Sequence, residues 1–359
     1  MLTTLIDVGC VAGAVALVVT LLAFIGSVLV KRSKQAREIG DDPGYVASLT
    51  TLSEASVRRH FDPYADIDWN APELAVTADD PRWVLSDSDP LGRHPWYRAQ
   101  PLDKQIEIGL WRQANIAKVT LQFESMLIRG LIHYASWVPN GSPEHRYCLH
   151  ESVEECNHVL MFQELVNRIG VDVPGMRRWM RWVSPLLALY AGPFPNVFFF
   201  GVLAGEVPVD VIQTNALREP GRVHPLVEKV MAIHVAEESR HISFADSYLR
   251  KRVPGTWRIN RFWMSLYVPV VFRMLAGQVL VPPRGVQGRF SVPRSVRKTM
   301  FGGADASART TQAMFADVRM LCHEVGLMNP AARLVWRMCR IDGRRARYRS
   351  EPQRTNQPA

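Results

Sequence analysis

Apolar side chains recur along most of this chain at spacings of three and four, the period of a helix with one buried side. No stretch of strand length alternates apolar and polar residues, so the pattern predicts an all-α protein. It places a short helix near Leu49 to Arg59 and a long one over Leu102 to Tyr134. A third opens at Ser142-Pro143, an N-cap followed by proline at the first helical position, and runs to Ile169, where Gly170 stops it. A segment interrupted by prolines covers Pro185 to Leu217, and another helix starts at His224-Pro225 and reaches about Lys251. Further helices are expected from about Asn260 and from about Ser307 to Cys339.

Two stretches are apolar all round. Val8 to Val30 carries no charged side chain and is long enough to cross a bilayer. Asp7 precedes it and the basic run Lys31 to Arg37 follows it, so the positive-inside rule puts the N-terminus outside and the rest of the chain in the cytoplasm. The expectation is a single-pass protein of the cell membrane. Gly9 and Gly13 read as incidental small residues in that helix rather than a pairing motif. The second stretch, Phe262 to Val281, contains Arg273 and Pro269 and reads as a buried or interfacial helix.

Length and composition allow one large domain with appendages: 359 residues, 47% hydrophobic. The expected organisation is an anchor with its basic flank (1–37), irregular chain wrapping the domain (38–100), a metal-binding helical domain (101–340) and a disordered basic tail (341–359). The net charge of +9 is concentrated in the flank and in Arg337 to Arg354. A solvated tail is the preferred reading of the latter, and no nucleic-acid partner is expected. Five cysteines, Cys10, Cys148, Cys156, Cys322 and Cys339, form no Cys-x-x-Cys, which fits a reducing compartment.

The chemistry lies in two Glu-x-x-His strings, Glu155 to His158 and Glu238 to His241. Positions i and i+3 share a helix face. Two such pairs, with one glutamate from each of two further helices, make the ligand set of a carboxylate-bridged di-iron or di-manganese site in a four-helix bundle. Glu124 and Glu206 are the two extra glutamates, each flanked by apolar residues where an ionised carboxylate needs a partner. His234, one turn before Glu238, lies within roughly 60° of Glu238 and His241 on the helix and is a further candidate ligand. Glu154 and Glu237 are equally readable as acceptors orienting a histidine of a neighbouring helix or as surface charges. Glu151, one turn before Glu155, is a candidate outer or alternative ligand. Phe194, Phe198, Phe199, Phe200, Trp179, Trp182 and Tyr190 are candidate pocket walls, although aromatics at helical spacing more often build core.

The set Glu124, Glu155-x-x-His158, Glu206, His234, Glu238-x-x-His241 resembles the p-aminobenzoate N-oxygenase (AurF-like) family of di-iron proteins. The resemblance implies a ferritin-like four-helix bundle with extra helices, here with an N-terminal transmembrane helix added. It implies two iron ions, carboxylate-bridged or joined as Fe–O–Fe, with manganese an alternative at one position and O2 as co-substrate. Glu124 and His158 would bind one iron, Glu206 and His241 the other, Glu155 and Glu238 would bridge, and His234 would be an additional ligand on the second iron. The implied reaction is N-oxygenation of an amine through a peroxo-di-iron intermediate, fed by an external electron donor such as a ferredoxin or reductase. Related bundles often form homodimers. The anchor makes a lipid-like substrate a second expectation, and a hydroxylase or desaturase acting on a lipid the alternative enzyme. A ribonucleotide reductase radical site would need a tyrosine where Phe162 stands, and soluble acyl-carrier desaturases lack a histidine at the place of His234. A metal-storage or metal-sensing bundle is the non-enzyme alternative.

Overall fold

The computed structural model describes residues 42–351 except 88, 219–220, 222, 282–288, 297–310 and 350. The expected membrane span and its basic flank lie outside them, as do residues 352–359. Among the described residues every regular element is helical.

Helix α1 (Pro43–Arg58) starts earlier than the apolar pattern suggests, because Asp42 caps it by accepting a hydrogen bond from the Tyr45 amide at 3.0 Å and Pro43 follows. The chain from 59 to 101 then wraps the helices through short 3-10 turns and the single-turn α2 (Pro95–Arg98). It is pinned rather than loose. Trp83 and Tyr97 are buried, and the Tyr97 hydroxyl accepts from the Leu85 amide and donates to the Gln105 carbonyl, each at 2.9 Å.

Two helix pairs carry the site. Helices α3 (Leu102–Ala135) and α4 (Pro143–Ile169) pack on each other, as do α6 (Pro195–Leu217) and α7 (Pro225–Arg252), and the pairs meet through α4 on α7 and α3 on α6. Gly205 lets α3 and α6 approach: a Cβ there would sit 1.8 Å from the Phe123 ring. Gly170 adopts φ 68° and ends α4 as its sequence position suggests.

The proline-interrupted segment resolves into two helices, α5 (Arg178–Ala188) and α6, with Gly192-Pro193 between them. Pro208 does not break α6; the helix runs through it, held by α7 and by α8 (Arg258–Leu280). The last expected helix is also two, α9 (Ala316–Glu324) and α10 (Pro330–Met338). Gly326 at φ 75° and an Asn329 cap on the Ala332 amide separate them. The tail expected to be disordered is ordered through residue 349: Ile341 is fully buried, and the Arg319 guanidinium donates to the carbonyls of Ile341 (2.7 Å) and Arg344 (2.6 Å).

The apolar core is in two parts. One gathers Phe123, Leu127, Phe199, Phe244 and Tyr248; the other gathers Ala117, Phe162, Leu165, Val227 and Val230. Along α4 the order is core, polar residues 151–158, core, and along α7 it is the same with polar residues 234–241 between. A buried polar layer therefore crosses the middle of the helices, closed above and below by hydrocarbon.

Candidate metal centre

Helical spacing carries the functional side chains inward. On α4, Glu151, Glu155 and His158 fall on one stripe, and on α7, His234, Glu238 and His241 do the same. Glu124 comes from α3 and Glu206 from α6. All seven ligands expected from the sequence are buried, none more than 1% exposed.

Six of the seven form two overlapping groups whose ligand atoms lie within 4.8 Å of one another: Glu124, His158, His234 and Glu238, and Glu155, His158, Glu238 and His241. His158 and Glu238 belong to both. Glu206 stands outside these tight groups, with Oε1 buried and without a hydrogen-bond partner. His234, implied as an additional ligand beside Glu206 and His241, places its Nε2 3.0 Å from Glu124 Oε1 and 3.4 Å from Glu238 Oε1. The position one turn before Glu238 points toward α3, and helical spacing alone does not say which neighbouring helix a side chain meets.

Each imidazole spends one nitrogen on an outer acceptor and turns the other inward. His158 Nε2 donates to Glu237 at 2.9 Å, leaving Nδ1 at 3.4 Å from Glu155 and 3.5 Å from Glu238. His241 Nε2 donates to Glu154 at 2.7 Å, leaving Nδ1 at 3.0 Å from Glu155 and 3.2 Å from Glu238. His234 Nδ1 donates to Gln213 Oε1 at 2.8 Å. Such outer carboxylates and amides fix the tautomer and aim of metal-binding histidines. Arg240 ties the two outer carboxylates together, donating to Glu154 at 2.8 Å and Glu237 at 3.3 Å. The Phe61 amide also donates to Glu237, at 3.3 Å.

The donor set fits a pair of divalent metal ions. Carboxylate oxygens of Glu124, Glu155, Glu206 and Glu238 and Nδ1 of His158 are buried without a geometrically satisfied hydrogen bond. Unpaired buried carboxylates are costly, and four of them with three imidazoles balance two divalent cations in charge. Without metal, protons take that place. Burial, then the charge of Glu155, pushes Glu124 well above the usual carboxylate range; burial, then Glu238, does the same to Glu206. Burial works against ionised Glu155 and Glu238 too, but the facing histidines outweigh it and hold both low. Burial also lowers His158 and His241, yet their carboxylate partners raise both well above the ordinary imidazole value. Burial, helped by the charges of His158 and His241 and only partly offset by Glu238 and Glu155, takes His234 down to about 3.

The outer residues Glu154 and Glu237 are orienting acceptors, one of the two readings their position allowed. Gln213 was not foreseen; its only signal is that it follows Glu206 by seven residues on the same face of α6. Among the described residues, none of the expected aromatic walls lines the cleft beside the centre. Phe199 and Phe200 are core, and Trp179 and Trp182 face outward. The described cleft beside the centre is aliphatic, lined by Ile116, Val209, Ile212, Met231, Val279 and Leu280, with Gln213 at its inner wall. Arg112 and Asp89 also line it but pair with each other at 3.0 Å, and Arg112 gives its other donors to the carbonyls of Val279 and Leu280.

Three comparisons bear on this centre. Residues 42–326 match the family of p-aminobenzoate N-oxygenase AurF. The chain is 61% identical over 326 residues, 91% of its length and 96% of theirs, to the uncharacterized proteins Rv0885 of Mycobacterium tuberculosis and Mb0909 of Mycobacterium bovis. No solved structure matches it. The seven buried carboxylate and imidazole side chains and the span of the match agree: this chain belongs to the p-aminobenzoate N-oxygenase AurF family, a group of di-iron oxygenases.

Proposed function

We propose that this protein is a di-iron monooxygenase that transfers one oxygen atom from O2 to the nitrogen of an amine whose body is largely apolar. The observation that carries the reading is the inward-facing set of buried carboxylates and imidazoles, each imidazole oriented by an outer acceptor. The four ligand-bearing helices are read as a ferritin-like bundle. In this reading Glu124, His158 and His234 would hold one iron, Glu206 and His241 would hold the other, and Glu155 and Glu238 would serve both. When bound, the reduced iron pair would supply two electrons to O2, so that one oxygen atom could pass to the amine and the other leave with two protons as water, an external electron donor then restoring the reduced pair.

The protein's own residues do the rest. The two hydrocarbon layers of the core keep water from the polar layer. Glu154, Glu237 and Gln213 hold the imidazole protons on the outer nitrogens and so leave the inner ones as ligands. Gln213 also lines the cleft, one side chain from His234, which makes that cleft the route by which substrate reaches the centre. Its aliphatic walls, with Arg112 and Asp89 satisfied by each other, favour an alkyl-bearing amine over a densely polar one. The same walls support the second reading, hydroxylation or desaturation of an alkyl chain.

The test uses the full chain in detergent, loaded with ferrous iron without oxygen and then mixed with O2 and a panel of aliphatic and aromatic amines. About two irons per chain and a product one oxygen heavier at nitrogen are expected. Oxygen found on carbon replaces the first reading by the second. Failure to bind iron ends both.

A further inference from the structure

Helix α5 turns the wrong side inward. Its buried face is made of Met180, Ser184 and Ala188, while Trp179, Trp182 and Leu186, one helical stripe, face solvent. Trp182 is 79% exposed. The first turns of α8 do the same with Trp257 (77% exposed), Phe262 and Trp263. The Arg177 amide, just before α5, donates to Gln278 Oε1 near the end of α8 at 3.3 Å, and Asn196 Nδ2, at the start of α6, donates to Thr256 Oγ1 just before α8 at 3.2 Å, so the segment 177–196 runs back along α8 in the opposite direction. Arg178, Arg181 and Arg258 are exposed beside the aromatic residues. Tryptophan and phenylalanine beside arginine on an outward helix face suit the headgroup boundary of a bilayer.

The tether points to the same end. Helix α1 begins at Asp42, whose carboxylate lies 3.8 Å from Lys251 at the end of α7. Lys251 also sits over the Tyr45 ring, and six residues later the chain reaches Trp257. Buried Glu144 fastens this corner, accepting from the hydroxyls of Tyr45 (2.7 Å) and Tyr134 (2.8 Å). Residues 31–41, which separate the apolar run 8–30 from Asp42, span at most about 40 Å. A bilayer holding that run would therefore be within reach of Trp257 and the first turns of α8.

We infer that the outward faces of α5 and of the first turns of α8 form a second membrane contact, seated in the headgroup layer of an anionic bilayer independently of the N-terminal run. The cleft lined by Val279 and Leu280 lies toward the other end of α8 from Trp257. The inference does not depend on the reaction catalysed.

The experiment starts from the full chain in vesicles of phosphatidylcholine and phosphatidylglycerol at about two to one, with a specific protease site placed within residues 38–41. After complete cleavage the vesicles are sedimented and the bound fraction of the body is measured. The wild-type body is expected to stay bound. The double variant Trp182→Ser with Trp257→Ser should lower its bound-to-free ratio about tenfold or more. Val153→Ser with Leu160→Ser, exposed on α4, is the control and should sediment as wild type. Release of the wild-type body, or equal retention of the Trp182→Ser and Trp257→Ser variant, overturns the inference. Iron content, measured on the same samples, tests the catalytic reading separately.

Discussion

The two Glu-x-x-His helices look interchangeable in sequence and are not. Each sends its inner glutamate and histidine to the same centre, and each sends the glutamate just before that pair across to the other helix: Glu154 of α4 to His241, Glu237 of α7 to His158. To that point the arrangement is reciprocal. One turn earlier it breaks. On α7 that position is His234, held between Gln213 and Glu124. On α4 it is Glu151, buried, with neither carboxylate oxygen hydrogen-bonded. The core motif thus builds the shared cluster, while the preceding turn decides what else each side contributes: an oriented imidazole on one helix, a carboxyl that burial pushes well above its usual range on the other.

The strongest way to break the reciprocal part is to remove a shared carboxylate. Glu155→Ala and Glu238→Ala should each reduce iron from about two per chain to below one, measured by metal analysis after ferrous loading. A variant retaining both irons would remove that residue from the ligand set.

Truncating the outer acceptors tests the crossing itself. Glu154→Ala and Glu237→Ala should each weaken metal binding roughly 10- to 100-fold, read by competition with a chelator. Arg240→Ala, which loosens both carboxylates at once, should disturb both metal positions rather than one. If Glu154→Ala and Glu237→Ala disturb the same position, the crossing described here is wrong.

The asymmetric turn separates more gently. His234→Ala should weaken the position shared with Glu124 and His158, and Gln213→Leu should do so less, since the ring stays but loses its guide. Glu151→Met should leave iron content unchanged and raise the stability of the metal-free protein by about 1–2 kcal/mol, because it removes a buried unsatisfied group. Loss of iron in Glu151→Met would instead make Glu151 a ligand and restore symmetry between the helices.

The same contrast explains what could be read in advance. A helix face is a local property, so Glu155, His158, Glu238 and His241 were legible from spacing, and Glu124 and Glu206 from charge in apolar surroundings. The crossing of Glu154 and Glu237 depends on the register between α4 and α7, which no single helix encodes. For the same reason spacing does not tell that the His234 ring reaches Glu124. Trp179 and Trp182 misled as pocket walls because amphipathic spacing shows that a helix has an apolar side, not that the core receives it. Pro208 and the ordered tail are tertiary overrides: packing by α7 and α8 holds α6 through a proline, and Arg319 gathers carbonyls of a segment whose composition reads as solvated.

The smallest expected effect lies at the starts of the two helices. Ser142 caps α4 through its hydroxyl, which accepts from the His145 amide at 3.2 Å and does not titrate in the accessible range. His224 caps α7 through Nδ1, which accepts from the Leu226 amide at 3.2 Å, while its Nε2 donates to the Ala75 carbonyl and its ring stacks on Trp83 at 4.4 Å. Burial, then the Arg82 charge, lowers the pKa of His224, and Asp80 only partly offsets them. The folded state therefore prefers neutral His224. At high pH neither state is protonated and the cap is intact. As pH falls through the ordinary histidine value the unfolded chain takes up the proton first, so stability declines until the lowered folded value is reached. The contribution of His224 to melting temperature should fall modestly between about pH 7 and pH 5, so the difference between wild type and His224→Asn, a cap that does not titrate, should slope downward over that window. Ser142→Asp, by contrast, should leave the wild-type slope unchanged, because a carboxylate cap at α4 titrates only below that window. Equal slopes in wild type and His224→Asn would mean that the two helix starts are held alike and that the pH response comes from the buried layer instead.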